Sequence, residues 1–274
     1  MNKITEMPSR YRHIEKMTIE EITANINEED KTVAFAIERA LPQLNALISE
    51  IVNKLQNGGR LFYLGAGSGG RLSVLDVIEL PTTYGVPADL FQSLLAGGIE
   101  HLAEALEEKE DDVSAGWENL QNKKISKKDI VVGISASGTT PYVLQGLKKC
   151  QENGITTGCI VSNPSSPIAA AANFPVEIIT GPEFISGSTR MKCGTAQKMI
   201  FDIISTTTMV KLGRIEDNQM VNVKLINDKI TNRAVKMLMN KSGIADYEKA
   251  KSILLAHGSV KNALLHLSNG KSHA

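Results

Sequence analysis

Three groups of residues in this chain of 274 have the types and spacing to do chemistry. Two are hydroxyl-rich loops punctuated by glycine: GAGSGG, which holds Ser68 and Gly69, and SASGTT, which holds Ser135, Ser137, Thr139 and Thr140. Each follows a short apolar run and precedes a helical pattern, so its amides and hydroxyls gather at a helix N-terminus, where the dipole is positive. Such loops suit an anion, and we read the ligand as a phosphomonoester. The third group is acidic. Glu79 closes an apolar helical pattern just before PTTYG, where a carboxylate faces the unfavourable negative end of the dipole. In ALEEKEDD, Glu107 and Glu110 are three apart and share a helix face, while Asp111 and Asp112 add charge that favours a protonated partner. General acid and base catalysis needs carboxyl groups of this kind.

Competing chemistries fit less well. GAGSGG satisfies GxGxxG, but a dinucleotide site also needs an acidic residue at the end of the next strand, and Asp89 precedes that strand instead. No Walker lysine follows either. The five histidines lack metal-ligand spacing, so no metal site is expected. Cys193, in RMKCGTAQK, has no histidine near it in sequence and reads as a small helix residue rather than a nucleophile.

The elements that must position these groups are read from periodicity. Apolar runs beginning at Leu61, Phe91, Asp129, Thr156 and Pro175 alternate with helical patterns, which predicts a three-layer α/β/α sandwich of about five mostly parallel strands. Ahead of them, residues 1–57 read as an N-terminal helical segment with two helices, Pro42 starting the second. Residues 58–215 form the α/β domain. Residues 216–274 read as a small C-terminal helical region, with a helix from Asp217 and then a hairpin broken at Gly258.

Composition narrows the classes further. Thirty Lys and Arg balance thirty Asp and Glu, so no positive field favours a nucleic acid or membrane surface. Three cysteines without CxxC spacing fit a reducing compartment, and the sequence offers no long apolar span, so a cytoplasmic protein is expected. Ser68 and Glu79 lie about 16 Å apart along one continuous helix. A hexose phosphate does not span that comfortably, so either the helix begins late or bends, or Glu79 serves a pocket completed by a second subunit; we take the latter, which points to a homodimer.

At GPEFISGSTRMKCGTAQK the sequence becomes specific. With LGAGSGGRL, ELPTTYGV and GISASGTTPYV, it resembles the N-acetylmuramic acid 6-phosphate etherases of the sugar isomerase domain superfamily, and the related glucokinase regulatory proteins. The resemblance implies cleavage of a D-lactyl ether without metal or organic cofactor. It implies Glu79 as proton donor and Glu110, the second glutamate of the AxExxED pattern, as the other active-site acid, with Glu107 as a decoy. It also implies the 6-phosphate on Ser68, Gly69 and Ser135 through Thr140, with Ser186, Ser188, Arg190 and Lys192 near the substrate. Arg190 or Lys192 would pair with the lactyl carboxylate. An aldose-ketose isomerase and a noncatalytic phosphosugar-binding regulator are the alternatives. Departures from the family pattern are Gly69, in place of a hydroxyl residue, Thr139, often Arg, the Glu108–Lys109 pair, and an early end at Ala274.

Overall fold

The computed structural model describes residues 3–271, and its contacts divide the chain into two compact units. The first comprises residues 1–77 and 89–205, the second residues 78–88 and 206–274.

In the first unit, five parallel strands form one sheet in the order β2-β1-β3-β4-β5. They are β1 (Leu61–Gly65), β2 (Phe91–Leu95), β3 (Ile130–Ser135), β4 (Thr156–Val161) and β5 (Phe174–Glu177). Strand β1 sits between its neighbours with Leu61 opposite both Phe91 and Ile130. Every residue of β1 and β3 is buried, as expected of strands covered on both faces. On one face Phe62, Leu64, Val131, Cys159 and Val161 pack with α3 (Ala115–Asn122), α4 (Pro141–Glu152) and α5 (Pro167–Ala170). On the other, Tyr63 meets Phe201 of α6 (Lys192–Lys211) with ring centroids 5.1 Å apart and the rings tilted by 60°. Gly158 there lets Leu47 of α1 (Ile19–Gln56) lie against β4, since a Cβ would stand 2.5 Å from Leu47 Cδ1. The three-layer α/β/α arrangement is therefore the one predicted.

The expected pair of N-terminal helices is instead the single 38-residue α1, which runs through Pro42. An interior proline costs about 3 kcal/mol. Beyond it, however, Leu44, Leu47, Ile48, Ile51 and Leu55 continue the buried stripe begun by Val33 and Ile37. At about 1.5–3 kcal/mol each, their burial outweighs one lost bond. Thr18 closes the helix start with a capping box to Glu21.

The division between units falls inside α2 (Gly67–Tyr84), after Val77, and inside α6, after Ser205. Within the second unit, α7 (Asp228–Ser242), α8 (Tyr247–His257) and α9 (Val260–Lys271) bury Val235, Leu238, Leu254, Val260 and Ala263 together. Asn227 caps α7 and Asp246 caps α8 through their side chains, and Gly243 and Gly258 end these helices with positive φ. The helix expected from Asp217 begins only at Asp228. Its N-terminal half is a run of turns, one of which sets Glu216 opposite Gln219. Among the described residues no helix is long and apolar enough to cross a membrane.

Candidate active site

The carboxyl ends of β1 and β3 carry the two hydroxyl loops, and both open onto one cavity of about 170 Å³ in the first unit. Its wall includes Ser68, Gly69, Ser135, Ser137, Thr140 and Glu110, brought together from three stretches of chain. After β1 the chain turns sharply into α2: a Cβ on Gly65 would come within 2.9 Å of Gly70 Cα. Gly67 holds φ +55°, and a Cβ there would stand 2.9 Å from Glu110 Oε1. Glycine is thus required both by the backbone conformation and by the approach of the carboxyl group.

After β3 the loop is organised by its own hydroxyls. Ser135 Oγ lies 2.8 Å from Thr140 Oγ1 and 3.2 Å from Ser137 Oγ, and accepts the amide of Gly138. Thr139 donates from Oγ1 to Ser137 Oγ at 3.1 Å. Pro141 then opens α4 at a position that needs no amide donor. The buried Asn163 holds the loop from behind, donating to the carbonyls of Ala136 and Ser137.

Glu110 lies on a 3-10 helix, Glu107–Asp111, where residues three apart eclipse. The expected shared face with Glu107 is present on this tighter helix. Burial first, and then the charge of Glu107, push the Glu110 carboxyl above its ordinary range; Arg71 opposes them and Asp111 adds to them. Glu110 is half-buried, and its acid form is favoured by its surroundings.

The other predicted residues are placed differently. Glu79 belongs to the second unit and is exposed on α2. That helix does not end there but continues through Pro81 to Tyr84, with Thr82 Oγ1 donating to the Glu79 carbonyl. Of the SGSTRMK segment, the cavity wall takes Gly187 and Thr189 rather than Ser186 and Ser188. Ser186 Oγ accepts the amide of Ser9, and Arg190 is exposed. Lys192 is 1% exposed, with its ammonium 2.5 Å from Glu29 Oε2, so its charge is engaged inside the protein. Glu183 accepts the amides of Lys192 and Cys193, capping α6. Burial pushes the Cys193 thiol up to about 12, as befits a packed helix residue.

Sequence reasoning missed Gln197 and Glu6, which also line the cavity. Gln197 is 2% exposed, and a Cβ on Gly69 would lie 2.9 Å from each end of its amide. Gly69 therefore leaves the space that this side chain takes. The signal was available: Cys193, Ala196, Ile200 and Ile204 mark the buried stripe of α6, and Gln197 is a polar residue on it.

Comparison with known proteins adds to this geometry. The glucokinase regulatory protein N-terminal SIS domain model matches residues 43–151, and the SIS domain model residues 113–206. A protein of Bacteroides fragilis named N-acetylmuramic acid 6-phosphate etherase is 49% identical over 96% of this chain and 93% of its own length. Its namesake in Bacteroides thetaiotaomicron is 50% identical over 96% and 94%. Among solved structures, the phosphoheptose isomerase of Neisseria gonorrhoeae shares the fold at a TM-score of 0.52 and 15% identity, covering 69% of this chain and 97% of that one.

Proposed function

The chain belongs to the N-acetylmuramic acid 6-phosphate etherase family, and we infer that it performs that reaction with Glu110 at the cavity of the first unit. It is a carbon–oxygen lyase: the D-lactyl ether of N-acetylmuramic acid 6-phosphate is cleaved to N-acetylglucosamine 6-phosphate and D-lactate. The observation that carries the site is one cavity in which Glu110 meets Ser68, Ser135, Ser137 and Thr140.

The chemistry follows from the substrate. In the opened sugar the C1 aldehyde acidifies the C2 proton, and a carboxylate removes it. The electron pair moves to form the C2–C3 double bond as the C3–O bond breaks, and an acid protonates the departing lactyl oxygen. Water then adds its oxygen to C3 and a proton to C2, so the sum is substrate plus water giving the two products. Two carboxyl groups in different protonation states suffice. We assign one to Glu110, whose acid form is favoured by burial, and the other to Glu79. The hydroxyl loops take the 6-phosphate, and Gln197 offers a donor and an acceptor to the sugar from the cavity wall. Arg190 is the candidate for the lactyl carboxylate, with a planar fork suited to bidentate pairing.

A homodimer is proposed to bring Glu79 to a substrate. Its support is the exposure of Glu79 together with its neighbour Ile78, which is 60% exposed and gains by being covered. A cytoplasmic location remains our proposal, supported by three buried free thiols. The test of the reaction is incubation with N-acetylmuramic acid 6-phosphate and assay of D-lactate, beside Glu79→Gln and Glu110→Gln. Lactate from the wild type and little from either variant supports both assignments; full activity in a variant removes that residue from the chemistry.

A further inference from the structure

A phosphomonoester is nearly dianionic, yet the cavity wall proposed to receive it holds two carboxyl groups, Glu6 and Glu110, and among the described residues no Lys or Arg. The cations around it are mostly committed. Arg71 donates to the carbonyls of Leu102 and Glu104, and Lys192 is bound to Glu29. Arg190 is exposed, and the other exception is Lys3. It is carried on an N-terminal segment tied to the hydroxyl loops from outside: the Thr5 amide donates to Asn163 Oδ1, and Asn163 Nδ2 donates to Thr5 Oγ1 at 2.9 Å. Ser9 extends the attachment by donating from Oγ to the Phe184 carbonyl at 2.7 Å.

From this tether the Lys3 ammonium donates to Thr139 Oγ1 at 3.1 Å, and Thr139 in turn donates to Ser137 Oγ in the cavity wall. The direction of that chain has a cause. An ammonium only donates, so Thr139 must accept from it and pass its own proton to Ser137. Ser137 Oγ also receives the Thr139 amide, so both its lone pairs are engaged and its proton can only be donated, to Ser135 Oγ at 3.2 Å or to a ligand in the cavity. Ser137, a hydroxyl that by itself donates or accepts equally, is thereby set as a donor, as an anion requires.

We propose that Lys3 is a substrate-binding residue: it supplies the counter-charge for the substrate phosphate and, through Thr139, sets the Ser137 hydroxyl as a donor toward it. An ammonium has three donors, and the Thr139 bond uses one. The proposal rests on the reading that the phosphate lies at the hydroxyl loops, so the experiment separates the two. KM for N-acetylmuramic acid 6-phosphate and Ki for inorganic phosphate are measured for the wild type, Lys3→Met, Lys3→Arg and Ser137→Ala, with Tm for each. Loss of a charge-assisted bond predicts that Lys3→Met raises both constants about tenfold with kcat changed by less than about twofold. Lys3→Arg should recover most of this. Wild-type constants in Lys3→Met beside weakened ones in Ser137→Ala would overturn the role of Lys3 and leave the loop reading standing. Wild-type constants in both would overturn the loop reading, and Lys3 with it. Equal losses in Lys3→Met and Lys3→Arg, with a lowered Tm, would make Lys3 only an anchor of the N-terminal segment and would also overturn the proposal.

Discussion

Gly67→Ala is the sharpest probe of Glu110, because it adds one methyl group at a position where two independent costs are visible. The first is conformational: φ is +55°, and an L-residue in the left-handed region costs about 1–2 kcal/mol. For a chain of this size that lowers Tm by about 5 °C. The second is steric and falls on the carboxyl group. The new Cβ would stand 2.9 Å from Glu110 Oε1, where ordinary contact begins at 3.4 Å, so the carboxyl group must retreat by about half an ångström. Misplacing a reacting group by an ångström costs on the order of a hundredfold in rate, so a loss of about tenfold in kcat is expected. D-lactate release at saturating substrate gives the rate, and calorimetry gives Tm. A variant that loses the expected stability but keeps wild-type kcat would refute the placement of Glu110 at the reacting centre.

Two further outcomes follow from the buried charges. The Glu110 carboxyl is pushed up by burial and by Glu107, so the stability linked to its proton is fully present at low pH and lost as pH rises through its folded value. Glu110→Gln should therefore match the wild type in Tm near pH 4 and exceed it at pH 7 while losing activity; a Tm difference that does not grow with pH would contradict this. Lys192→Met leaves the Glu29 carboxylate, 5% exposed, with only the long 3.9 Å pair to Arg10 and should cost about 3–5 kcal/mol. Adding Glu29→Leu should return most of that in denaturant melts, and a double variant no better than the single would show that the pair is not coupled.

How much of this was legible depended on whether the signal was local. The strands were readable because residues such as Leu61–Gly65 are buried on both faces and leave a continuous apolar run. The hydroxyl loops were readable because glycine and serine after a strand mark a turn whatever surrounds it. The continuity of α1 through Pro42 was not, because a local rule about proline competes with a buried stripe whose value is set by β4 and its Gly158, about a hundred residues away.

The same distinction explains the site. Glu110 could be singled out from its acidic neighbours by type, but what separates it from Glu107 physically is burial beside Gly67, a contact across more than forty residues. Lys192 looked available because its sequence neighbours are polar, and Glu29, which engages it, lies on a helix far upstream. Lys3 and Glu6 carried no signal, since the short turns and extended backbone of the N-terminal segment have no periodicity to read. Charges pair across the fold rather than along the chain, so sequence identifies the groups able to do acid, base and anion chemistry, while the fold decides which of them are free to do it.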